Sequence, residues 1–244
     1  SSDLQAVAFL HLDPARPRNS RTHALEEMQP PLHTALKSWA PHFAPSPEGP
    51  AVLLDLSPRL TSSQRAEVEG IVEAVWPGIA KTWEWTSRGR GRVDRLALWL
   101  GGLASEGVAR RFVRVPASLA DLPLMLSTND GETALVPRHH PPKRGEHVSV
   151  LDAALVESGL ATAWFNRIGG DGNHRWAFIE GRRPQVHHDT SLEFEGQDEW
   201  LVQATGRVVE LLTFALDQST VDRLVEVALE HRMASVKQIG RAHV

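Results

Sequence analysis

The chain has 244 residues, enough for one large domain or two small ones, and its 41% hydrophobic content is enough for a core. It contains no cysteine and no tyrosine, which excludes disulfides, thiolate nucleophiles, zinc–thiolate sites and tyrosine acids. With 26 basic and 30 acidic side chains the formal charge is -4, so a globally basic nucleic-acid binder is disfavoured, and no apolar stretch reaches bilayer-spanning length.

The start, Ser1-Ser-Asp-Leu-Gln-Ala, has no basic segment ahead of an apolar run, so a cytoplasmic location without membrane association is expected. Ala6 to Leu10 reads as a first strand that leaves through His11-Leu-Asp13-Pro14 into a polar loop. Leu32, Leu36 and Trp39 are spaced by four and three, which predicts a helix. Ala51 to Leu56 predicts a second strand. Thr61 or Ser62 caps a helix running to Trp76, where Pro77-Gly78 stops it.

Val93 to Leu100 alternates, with Leu96, Leu98 and Leu100 on one side, and predicts a strand; helix is the alternative. Ser105 to Arg111 predicts a short helix leading into a strand at Phe112 to Val115. Pro137 to Gly145 is a basic loop containing Arg138, His139 and His140. Asp152 caps a short helix that ends at Gly159.

Ala161 to Ile168 and Arg175 to Ile179, joined by Gly169-Gly-Asp-Gly172, predict an antiparallel hairpin. A strand from His187 to Phe194 follows a turn at Glu180-Gly181. Glu199 to Leu216 is ambiguous. Ser219 and Asp222 predict the start of a helix to about Met233, with Val221, Leu224, Val225 and Ala228 as its buried face.

The pattern predicts an α/β or α+β fold: a mixed sheet with a βαβ-like N-terminal part and a C-terminal antiparallel meander plus helix. The expected division is 1–126 and 127–244, packed as one globular unit.

Chemistry is concentrated in three places. On a strand through His187, odd positions share a face, so His187, Asp189 and Glu193 form a candidate acid–base group. His187 and Asp189 are also candidate ligands for a divalent ion. The competing reading is a solvated, charged strand face. Seven arginines fall between Arg88 and Arg114, opposed locally only by Asp94 and Glu106. Of these Arg88, Arg90 and Arg92 form a basic segment after Trp83 and Trp85, suited to an anionic ligand or, with base stacking, to RNA. Asp13 and Asp55 lie at or near the ends of two strands expected to be parallel, where carboxylates enter α/β clefts.

His147-Val-Ser149 and His188-Asp-Thr190 are two histidine–X–hydroxyl elements. In these four residues the chain resembles the two-histidine phosphoesterase family. That resemblance implies acid and base roles for His147 and His188 on a phosphodiester, with Ser149 and Thr190 holding phosphate. It competes with the His187 reading, because the two use adjacent histidines.

The leading expectation is an enzyme acting on an anionic or phosphorylated small molecule, with phosphoryl hydrolysis one compatible class. The alternative is a non-catalytic binding or assembly protein for a peptide, a protein partner or RNA.

Overall fold

The computed structural model describes residues 6–15, 24–130, 135, 140–170, 173–179 and 183–236. The chain forms two compact units, Ser1–Arg88 with Val93–Thr133, and Gly89–Arg92 with Ala134–Val244. The fold is mixed α/β, with one mixed and one antiparallel sheet.

The first unit contains β1 (Leu10–Leu12), α1 (Leu32–Trp39), β2 (Val52–Leu56), α2 (Ser62–Val75), β3 (Lys81–Ser87), β4 (Arg95–Leu100), β5 (Arg110–Arg114) and β6 (Leu124–Thr128). The strand order is β1-β2-β4-β3-β5-β6. β1 pairs with β2 and β3 with β5 in parallel, and the other pairs are antiparallel.

One face of this sheet is the core. Val52, Leu54, Leu56, Trp83, Trp85, Leu96, Leu98, Leu100 and Phe112 alternate inward from four strands and are all buried. α2 covers that face: the Trp83 Nε1–H donates to Glu69 at 2.6 Å, and the Arg65 guanidinium lies 5.5 Å over the Trp85 ring. The capping box of α2 is complete, with Thr61 accepting from the Gln64 amide and Gln64 returning a bond to the Thr61 amide. The opposite face carries Asp55, Glu84, Thr86, Arg95, Trp99 and Arg111, which share rows through the strand register.

The second unit contains β7 (His147–Leu151), α3 (Ala153–Glu157), α4 (Ala161–Arg167), β8 (Arg175–Ile179), β9 (Arg183–His188), β10 (Val202–Arg207) and α5 (Val221–Glu230). Its sheet is antiparallel in the order β10-β7-β9-β8. Trp164, Phe165, Trp176, Val186 and Leu151 are buried here. As expected, Asp152 caps α3 by accepting from the Ala154 amide at 2.8 Å.

Several local expectations need correction. Ala161–Arg167 is helix, because Ala161, Trp164 and Phe165 close one buried helical face. The hairpin is therefore β8–β9. No helix forms over Ser105 to Arg111; Arg110 and Arg111 belong to β5. β3 lies in a segment read only as an approach to the basic loop, although Thr82-Trp83-Glu84-Trp85-Thr86 alternates. β6 crosses the expected boundary between residues 126 and 127. The terminal helix is preceded by an Asp217–Thr220 capping box, not one built on Ser219 and Asp222. Its expected face is buried only in part: Ala228 is buried and Leu224 half-buried, whereas Val221 and Val225 are exposed. The turn residues Asp171, Gly172, Glu180 and Gly181, and the loop residues Arg138 and His139, lie outside the described residues.

Candidate functional site

Because β4 is antiparallel to both β2 and β3, the strands β1, β2, β3 and β5 run in one direction. Their carboxyl ends bring Asp13, Ser57, Arg88 and Val115 to one edge of the sheet. β4 starts at that edge with Arg95. A cleft of about 1100 Å³ opens here, lined also by Asp55, Glu84, Trp99 and Arg111 from the polar face. Clefts outside the carboxyl ends of strands are where open α/β sheets hold ligands.

Two cross-strand ion pairs organise the floor of the cleft. The Arg95 Nε–H donates to Asp55 Oδ1 at 2.5 Å and its Nη2–H to Asp55 Oδ2 at 2.6 Å. That bidentate contact raises the Arg95 guanidinium above its ordinary value, against the opposing effect of burial. His11 Nε2 lies 3.2 Å from Asp55 Oδ2. The Arg111 Nε–H donates to Glu84 Oε2 at 2.7 Å, a second guanidinium nitrogen donates to Ser105 Oγ at 2.8 Å, and the guanidinium lies 5.7 Å from the Trp99 ring centre. Thus two of the clustered arginines are neutralised by carboxylates from other strands. Arg88 is different. Its backbone amide donates to Asp94 at 2.7 Å, while its exposed guanidinium forms no ion pair within the described residues.

The sequence-derived candidates are dispersed. His187 is 1% exposed in the second unit. Its Nδ1 accepts from the Arg175 Nε–H at 3.2 Å and its Nε2 lies 3.1 Å from Gln185 Oε1. These contacts assign the neutral tautomer protonated at Nε2. Arg175 also donates to Glu146 at 2.6 Å. Burial, then the Arg175 charge, hold the imidazole below its ordinary 6.5, with Glu146 opposing them.

Asp189 and Glu193 do not join His187 on a strand face. β9 ends at His188, where its partner β7 also runs out, at His147. His188 Nδ1 then contacts the Thr190 carbonyl at 2.5 Å, tying up the backbone that would extend the ladder. Asp189 is exposed and accepts from Asn173 at 3.0 Å, and Glu193 is exposed beyond it. No group of three or more His, Asp or Glu side chains among the described residues is arranged to hold a metal ion.

His147 and His188 lie opposite each other, with ring centres 5.7 Å apart. His188 is fully buried, its Nε2 lies 2.9 Å from Ser149 Oγ, and Ser149 contacts Thr205 at 2.7 Å. Thr190 is exposed.

Of the basic segment only Arg88 lines the cleft; Arg90 and Arg92 fall in the second unit and are exposed. Trp83 and Trp85 are buried at 4% and 1% exposure, so they offer no face for base stacking. Sequence reasoning missed Glu84. Its signal was position: a charged residue alternating between two tryptophans marks the polar face of a half-buried strand.

No family model and no curated protein matches the chain. A solved structure described as a "putative methyltransferase from Porphyromonas gingivalis W83" superposes with a TM-score of 0.48 at 13% identity, covering 95% of this chain and 54% of that one. The chain thus spans about half the length of that structure, and a likeness of this degree identifies no activity. Among the described residues, no helix is long and apolar enough to cross a membrane.

Proposed function

We propose that the first unit binds an anionic small molecule in the cleft at the carboxyl ends of β1, β2, β3 and β5, as the substrate site of an enzyme. One observation carries this reading. Arg95 and Arg111 are held by Asp55 and Glu84, leaving the exposed Arg88 as a cleft arginine with no ion-pair partner among the described residues. An arginine so placed meets a phosphate or carboxylate with its planar donor fork. Asp13, exposed at the end of β1, is the carboxylate nearest in role to a proton acceptor, because Asp55 is engaged by Arg95 and His11. The reading assigns no chemistry to His187, whose ring nitrogens are both occupied.

Calorimetric titration with adenosine monophosphate and with inorganic phosphate tests the site. Saturable binding is expected, weakened by salt and reduced about tenfold in Arg88→Ala but less in Arg88→Lys. Absence of binding to both probes, or equal binding in Arg88→Ala, removes the proposal.

A further inference from the structure

α5 is amphipathic, yet its apolar stripe faces outward. Val221, Val225 and Leu229 are spaced by four, so they form one line along the helix, and they are 49%, 49% and 71% exposed. Only Ala228 is buried within the helix. The anchors lie elsewhere. Asp217 and Thr220 form the capping box ahead of α5, and Thr220 Oγ1 donates to the Ala215 carbonyl at 2.6 Å. The Arg223 guanidinium lies 4.1 Å from the Phe214 ring centre, and His231 pairs with Glu210 at 2.8 Å. The helix is therefore held by its ends, by the Arg223 contact and by a narrow apolar edge of buried Ala228 with half-buried Leu224 and Val227, which leaves the stripe of Val221, Val225 and Leu229 as a ready contact surface.

Charge selects the occupant. Asp222, Glu226 and Glu230 each follow a stripe residue by one position, so they form an acidic ridge along one edge of the stripe. Arg223 is the sole Lys or Arg in Val221–Glu230, and it is engaged with Phe214. A second copy in antiparallel register sets ridge against ridge, where like charges repel. A parallel copy sets the ridge against the edge of Leu224 and Ala228, which carries no basic residue. Anionic membrane surfaces select helices with Lys and Arg on the polar side, the reverse of this one. We propose that this face of α5 docks an amphipathic helix of a protein partner that has an apolar stripe bordered by Lys or Arg.

The test uses the full chain and two fluorescent peptides, one of leucine and lysine and one of leucine and glutamate, each patterned as an amphipathic helix. Anisotropy is expected to show saturable, salt-sensitive binding of the lysine peptide and weaker binding of the glutamate peptide. Leu229→Asp, at a position exposed enough to leave folding intact by circular dichroism, is expected to weaken the lysine peptide about tenfold or more. The double change Glu226→Lys with Glu230→Lys is expected to exchange the preference of the two peptides.

The proposal is overturned if Leu229→Asp leaves the affinity unchanged, or if both peptides bind the wild-type chain equally. It is also overturned if sedimentation shows a dimer that Leu229→Asp dissociates. Capture on phosphatidylcholine–phosphatidylserine vesicles through Leu229 would replace it with a membrane role.

Discussion

Asp55 on β2 and Arg95 on β4 are 40 residues apart in sequence and bonded through both carboxylate oxygens, at 2.5 and 2.6 Å. β4 runs antiparallel to β2, and the register pairs Asp55 with Ala97, which puts Arg95 one step along on the same face. This pair forms the floor of the cleft and separates the neutralised Arg95 from the available Arg88.

Replacing Asp55 by Ala leaves the half-buried guanidinium without its bidentate acceptor. We expect a loss of about 1–2 kcal/mol in urea unfolding. A double-mutant cycle with Arg95→Met should show coupling of about 1 kcal/mol. Additive single effects would remove the pair as an organising contact.

The state of His187 gives a pH dependence. Its folded value lies below the unfolded 6.5, so between those two values the unfolded chain binds the extra proton. Its contribution to stability is complete above 6.5 and declines as the pH falls from there toward the folded value. Urea midpoints measured from about pH 7.5 to about pH 5 should therefore fall more steeply for the wild type than for His187→Gln. Parallel curves would show that His187 titrates alike in both states.

Gly101, next to the end of β4, has φ +56°, and a Cβ placed on it lies 2.2 Å from the Pro50 carbonyl oxygen. Both the backbone conformation and the close approach exclude a side chain. Gly101→Ala should lower stability by about 2 kcal/mol or more, while Gly78→Ala, whose Cβ meets open space, should cost about 1 kcal/mol. Equal losses at the two sites would show that φ alone decides.

Thr61→Ala removes the acceptor of the Gln64 amide at the start of α2 and should cost about 1 kcal/mol, whereas Thr61→Ser retains the capping geometry. Thermal unfolding of the two variants separates the cap from the loss of the Thr61 methyl group.

The local features were legible because short-range bonding creates them. The stop at Pro77-Gly78, the caps at Thr61 and Asp152, and the alternation of Leu96, Leu98 and Leu100 each involve neighbours in sequence. The segment of α4 carries no such local signal: with Trp164 and Phe165 adjacent it fits either period, and only the burial of Ala161, Trp164 and Phe165 on one face makes it helix. The apolar spacing of α5 was equally plain, but spacing cannot say whether a stripe meets a core or solvent.

The sequence by itself determined the mixed α/β class, the carboxylates Asp13 and Asp55 at or near strand ends, and the density of arginine from Arg88 to Arg114. Only the tertiary structure decided which arginines are neutralised. Glu84 and Arg111 are 27 residues apart and meet because parallel pairing of β3 with β5 places them in register. It likewise ended β9 at His188, which separated Asp189 and Glu193 from His187. The physical reason is the same in each case: capping and periodicity act over a few residues, whereas strand register depends on the whole set of side chains that the sheet must bury together.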